Sequence, residues 1–160
     1  MRYLGRALLS LVFIIGTGMG NNYTKELAKG KQELPKVDKR LYDTIWGEVT
    51  GGSSAEVAAV TSVFLNRAMS DGYEKALRGS AAYNNKSTQY KKASSGDMNA
   101  YEKAFYTRNK MIINQMLSNP ELIQPYTHFE NVNAFGEPKW AKDVTTYKDI
   151  GRQRFYVLEE

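Results

Sequence analysis

Apolar residues recur with a helical period in three stretches of this chain. Val37, Leu41 and Ile45 fall on one helix face, and Glu48 is next in the same series. The face is therefore apolar until it meets a carboxylate near the helix end. Gly51-Gly52 follows and predicts a stop, because glycine accepts the left-handed conformation that closes a helix. Ser53-x-x-Glu56 is a capping-box pattern and opens a second helix to about Met69. Val57, Val60, Phe64 and Ala68 repeat along it, while Ala58, Ala59 and Ser62 are small enough to admit a close neighbour. A helix apolar or small on most sides belongs at the centre of a fold. Asn99-x-x-Glu102 starts a third helix to about Leu117, with Ala104, Phe105, Met111, Ile112, Met116 and Leu117 as its expected buried side. Ser118-Asn119-Pro120 ends it. Residues 76–97 are rich in Ser, Asn, Gly, Gln and Tyr, lack a period, and read as a long surface excursion of the kind that carries binding groups. Residues 122–130 and 135–140 look irregular, and 144–156 predict a short helical turn and a short strand. The pattern predicts a mainly α single domain over residues 37–158, with long loops and little β structure.

The N-terminus has a different pattern. Arg2 and Arg6 precede an apolar run over residues 7–15, and small residues follow, with Gly18-x-Gly20 as a cleavage candidate. This is the layout of a secretory signal. The run is short for a spanning helix, which takes about 20 residues. Residues 1–20 are thus expected to be a signal peptide or a membrane anchor, and the protein to be exported to the periplasm or cell envelope, or to be virion-associated. Residues 21–36, polar and lysine-rich, read as a linker.

Composition removes several chemistries. With 160 residues, 42% of them hydrophobic, the chain has the size of one globular domain. There is no cysteine, so disulfides, thiolate zinc sites and cysteine nucleophiles are excluded. The one histidine, His128, is too few for a zinc amidase or metallopeptidase. No Gly-rich phosphate loop or metal cluster points to a cofactor, and none is expected. The net charge of +5 suits a polyanionic partner. The lysines are scattered rather than gathered into a stripe, so an acidic cell-wall polymer fits as well as nucleic acid, as does a solvated basic surface with no partner; no groove-reading motif is present and no nucleic-acid partner is expected.

Glu48 is the residue best placed for chemistry. A carboxylate at the end of an apolar helix face, before a glycine turn, is expected to be partly desolvated, which favours its protonated form. A protonated carboxyl facing a cleft is the minimum equipment for breaking a glycosidic bond. Ser53 and Ser54 lie near the turn after it, with capping the expected job for one of them. The C-terminal third mixes aromatic and amide side chains, among them Tyr126, Thr127, His128, Asn131 and Trp140. Such groups stack on sugar rings and bond their hydroxyls, or else pack a core.

Taken in order, these pieces resemble the cell-wall hydrolase family of the bacterial spore-cortex-lytic enzyme. Gly47-Glu48, a glycine turn, and an Ala- and Val-rich helix ending in Leu65-Asn66-Arg67 come first. Gln89-Tyr90, Thr127-His128-Phe129-Glu130-Asn131, Trp140 and a closing Ile150-Gly151…Phe155-Tyr156 follow. Many relatives carry a second acid in the turn where this chain has Gly52. The resemblance covers roughly residues 41–156. It implies a lysozyme-like or lytic-transglycosylase-like fold, peptidoglycan as substrate, and Glu48 as the catalytic residue. Gln89, Tyr90, Tyr126, Thr127 and Asn131 are candidates for lining the cleft, while His128 and Trp140 are candidates either for contacting substrate or for a structural role. One carboxylate suffices for a lytic transglycosylase. A lysozyme-type hydrolase would need a second, for which Glu56, Glu130 and Glu137 are the candidates. A wall endopeptidase, and a non-catalytic wall-binding or virion structural protein, are the other readings. A bacterial protein and a phage protein that crosses the wall are both compatible with the sequence.

Overall fold

The computed structural model describes residues 33–158. The expected signal or anchor at residues 1–20 lies outside the described residues, as do residues 21–32 of the expected linker. Helix α1 spans Lys39–Glu48, with Asp38 as its cap, accepting from the Arg40 amide. Leu41 and Ile45 are buried as the period predicts, but so are Asp43, Thr44 and Trp46. Asp43 is held by Lys39 Nζ at 2.7 Å and by the Tyr106 hydroxyl at 2.7 Å, so its buried charge has partners.

Helix α2 spans Ser54–Asp71 and carries the capping box in full: Ser53 Oγ accepts from the Glu56 amide, and Glu56 accepts from the Ser53 amide. It is buried almost all round, as its composition predicts. Val57, Val60, Val63, Phe64 and Leu65 are each at most 2% exposed. Burial of side chains of this size is worth about 1.5–3 kcal/mol apiece. Thr61 and Ser62, also buried, return their hydroxyls to the carbonyls four residues back.

The stretch expected as a long loop is instead three short helices, α3 (Tyr73–Arg78), α4 (Ala81–Asn84) and α5 (Thr88–Ser95). Its serines are caps: Ser80 accepts from the Tyr83 amide and Ser87 from the Tyr90 amide. Ala76, Leu77, Ala82, Tyr90 and Ala93 supply the buried sides. Helices this short hold too few turns to display a period, so their polar faces dominate the composition.

Helix α6 runs Ala100–Ser118 with the Asn99/Glu102 capping box in place. Its buried stripe is Asn109, Ile112, Ile113 and Met116. Ala104 and Met111, expected inside, face outward, Met111 at 65% exposure, because the core lies against the 109–116 side. A 3-10 turn at Pro120–Leu122 leads to strand β1 (His128–Glu130), a short α7 (Val132–Phe135), a 3-10 turn at Lys139–Ala141, and a hairpin of β2 (Tyr147–Ile150) and β3 (Gln153–Tyr156).

The sheet order is β1-β3-β2, antiparallel throughout. Two of its strands therefore went unexpected. Strand β2 is mostly exposed, so it shows no alternation. Phe155 and Tyr156 of β3 are fully buried and join the sheet to the helical core. The hairpin turn contains Gly151 at φ +60°, where any Cβ would overlap the Glu56 carboxylate. Glu56 in turn accepts from the Arg152 amide at 2.9 Å, so the cap of α2 also clamps the hairpin. The protein is a mainly helical single domain with one small sheet.

Candidate active site

Glu48 is the last residue of α1 and is half-buried. Its Oε1 accepts from the Ser80 hydroxyl and from the Ala82 amide at 3.0 Å. Ser80 is 4% exposed and simultaneously caps α4, so one side chain ties the carboxylate to the start of that helix. Among the described residues, Oε2 accepts no hydrogen bond and no cation pairs with Glu48. One oxygen is thus fixed and the other left for a reacting group.

Gly47 explains why the pair reads Gly-Glu. A Cβ at this position would come within 2.7 Å of Ala82 Cβ and 3.1 Å of Ser87 Oγ. The missing side chain lets α1 approach α4 and α5 closely enough for Glu48 to reach residues 80 and 82. Gly47→Ala is expected to push these elements apart. Cleavage should fall by roughly tenfold or more, and stability by about 1–3 kcal/mol from overpacking. Parallel wall-digestion and urea-melt assays check this; unchanged activity would mean the close packing does not position Glu48.

The Leu65-Asn66-Arg67 end of the second motif joins α2 to the C-terminal segment. Asn66 Nδ2 donates to the carbonyls of Gln124 and Tyr126, both at 2.7 Å. Arg67 Nε donates to the Thr127 carbonyl at 2.8 Å. Arg67 Nη1 would lie 3.3 Å from a Cβ at Gly79, so its guanidinium sits against the residue preceding Ser80. Burial pushes the Arg67 pKa down, while the charges of Asp71 and Glu48 support the cation. Glu48, Ser80, Arg67, Thr127 and His128 consequently form one neighbourhood.

His128 is half-buried, its Nδ1 3.1 Å from Thr127 Oγ1 and its ring 5.1 Å from that of Trp140. Trp140 is 46% exposed and meets Tyr156 edge-on at 5.0 Å. Burial, reinforced by the charge of Arg67 and opposed by Asp71, pushes the His128 pKa down to about 4. The imidazole is therefore neutral in the folded protein at neutral pH. Below its ordinary value of 6.5, the unfolded chain binds a proton that the folded chain refuses. Stability should fall as pH drops from about 6.5 and stop falling on this account near 4, by up to about 3 kcal/mol. His128→Phe should flatten that portion of a urea-midpoint profile; parallel profiles for the two proteins would contradict it.

The remaining expected binding residues divide. Tyr126 is 7% exposed with its ring 5.3 Å from Phe155, so it packs the core rather than lining a cleft. Asn131 caps α7 through the Ala134 amide, which engages its side-chain oxygen. Tyr90 is buried beside Gly47 and edge-on to Tyr83, supporting α1. Gln89 is half-buried, with an Oε1 that has no partner among the described residues. Thr127 engages backbone at both ends: its amide and hydroxyl reach the Tyr156 carbonyl, and its hydroxyl accepts from the Leu158 amide. Thr127, His128 and Trp140 adjoin one another, and Arg67, which donates to the Thr127 carbonyl, also feels the charge of Glu48. The structure adds Ser80, which its surface-loop appearance in sequence concealed. The Ser-x-x-Tyr capping pattern there was the only available signal.

Each candidate second carboxylate has a partner of its own, though only Glu56 has both oxygens engaged. Glu56 serves the Ser53 and Arg152 amides, Glu130 accepts from the Asn131 amide, and Glu137 lies 3.4 Å from Arg154. Among the described residues, no group of three His, Cys, Asp or Glu side chains could hold a metal ion. Nor is any helix there long and apolar enough to cross a membrane.

Comparison with curated proteins and with solved structures returned no significant match. The profile of the cell wall hydrolase family, by contrast, matches residues 51–156, beginning three residues after Glu48 and taking in the capping box, the Asn66–Arg67 anchor, Ser80 and the whole sheet. On that match, which spans more than half of the sequence, the chain belongs to the cell wall hydrolase family, that of the spore-cortex-lytic enzyme, and carries a peptidoglycan-degrading domain.

Proposed function

We propose that this protein cleaves the bond between N-acetylmuramic acid and N-acetylglucosamine as a lytic transglycosylase, with Glu48 as its single acid and base. The observation that carries the reading is the state of the Glu48 carboxylate. It is half-buried, steadied at Oε1 by Ser80 and Ala82, and without a partner at Oε2 among the described residues. An acid that must deliver a proton to substrate needs one oxygen open in this way.

In this mechanism, protonated Oε2 donates to the glycosidic oxygen as the bond from muramic C1 breaks. The carboxylate then takes the proton of that sugar's own 6-hydroxyl, whose oxygen bonds to C1. The product is a 1,6-anhydro sugar, the leaving strand carries a new hydroxyl, and Glu48 is protonated again. The nucleophile is already part of the substrate, so no base is needed to activate water. Glu56, with both oxygens taken up by the Ser53 and Arg152 amides, is the candidate least able to serve as a second carboxylate. Trp140, His128 and Thr127 are proposed to contact the glycan. Action on the wall, whether in bacterial remodelling or phage entry, is proposed to follow export directed by residues 1–20.

Digestion of purified peptidoglycan by the full chain, with products read by mass spectrometry, tests the proposal. Anhydro-muropeptides are expected. Reducing-end sugars would mean hydrolysis, free peptide stems would mean peptide cleavage, and binding without products would mean a non-catalytic wall protein.

A further inference from the structure

Arg67 is a cation whose donors are largely unassigned. It is partly buried near the end of α2, and only Nε donates a hydrogen bond, to the Thr127 carbonyl. Its Nη1 and Nη2 groups donate none among the described residues, and no carboxylate there lies within ion-pair distance of them. The acids of its neighbourhood are engaged with others: Asp71 lies 3.3 Å from Lys75, and Glu48 accepts from Ser80 and Ala82. An unpaired, partly desolvated guanidinium is unfavourable in a free protein. Such a group is compensated when an oxyanion arrives, and its planar fork fits a carboxylate through two parallel hydrogen bonds.

Gly79, exposed and without a side chain, lies against Nη1, so no side chain there covers the guanidinium. Thr127 anchors the opposite edge of the fork and leads directly to His128 and Trp140. In peptidoglycan the glycan chain itself is neutral where the lactyl group of muramic acid is amide-linked. Its carboxylates are carried by the peptide stem. We propose that Arg67 binds a carboxylate of the peptide stem, selecting stem-bearing glycan and setting its position relative to Glu48. The proposal rests on the Glu48 reading only for where the glycan lies.

The test measures binding of soluble glycan fragments in a Glu48→Gln background by calorimetry. Three ligands are compared: stem-bearing strands, the same strands with their carboxylates converted to carboxamides, and strands stripped of stems, which expose the lactyl carboxylate instead. With Arg67 present, stem-bearing strands should bind about 10- to 100-fold more tightly than the amidated ones. Arg67→Met should remove that difference and melt within a few degrees of its parent. Arg67→Lys, which keeps charge and stem but not the fork, should recover part of it and serves if the Met variant fails to fold. Equal binding of the first two ligands by the Arg67 protein would overturn the proposal, as would an equal loss on both in the variants. Arg67-dependent binding of stripped strands as tight as that of stem-bearing ones would overturn the stem assignment in favour of the lactyl group. An error in the Glu48 reading would appear separately, as continued cleavage of the ligand.

Discussion

Glu48→Gln should abolish measurable wall cleavage while leaving the fold intact. The carboxamide oxygen can still accept from the Ser80 hydroxyl and the Ala82 amide, so the end of α1 stays tied to α4. What is lost is a proton donor at the other position. Removal of a positioned acid–base group lowers rate by about 100- to 10,000-fold, or roughly 3–5 kcal/mol in barrier. Because the same group serves both half-steps, the larger end of that range is expected. Turnover of purified peptidoglycan and the thermal melting curve, measured together, check this. Residual activity within tenfold of the parent would exclude Glu48 as the acid. A collapse of the melting curve would instead make the residue structural.

Asn66→Ala carries the largest expected effect on stability, about 3–4 kcal/mol. The side chain is 1% exposed and its amide donates to two carbonyls, those of Gln124 and Tyr126. Alanine leaves both acceptors without a partner, at about 1–3 kcal/mol for each orphaned group. Asn66→Asp should be worse, since an acceptor-only side chain would face two carbonyl oxygens. These carbonyls immediately precede Thr127 and His128, so activity should fall with stability. Urea unfolding of both variants checks the order; a loss below about 1 kcal/mol for the alanine variant would mean the 124–126 segment is held by its core packing alone.

The contrast between these two residues shows what a sequence conveys. Glu48 could be singled out because its position is local: an apolar helix face, a carboxylate at its end, a glycine turn. The caps at Ser53/Glu56 and Asn99/Glu102 were legible for the same reason, as reciprocal contacts over three residues. The central place of α2 followed from its small and apolar composition. Ser80 could not be found this way. Its partner Glu48 lies 32 residues away, and its surroundings looked like a polar loop. Strand β2 was hidden because an exposed edge has no alternating pattern, and the sequence left Tyr126 open between binding and packing because its polar neighbours concealed that its ring lies against Phe155.

By itself the sequence determined the main helices, their caps and the absence of cysteine, and it singled out Glu48 as the candidate carboxylate. These depend on interactions between residues a few positions apart, which period and spacing record. Only the tertiary structure decided that Glu48 is steadied by Ser80, that Glu56 is taken up by the β-hairpin, and that Arg67 meets Thr127 through Nε. Each of these is a hydrogen bond or close approach between segments far apart in the chain. Such contacts exist because packing brings the segments together, and no local pattern encodes them.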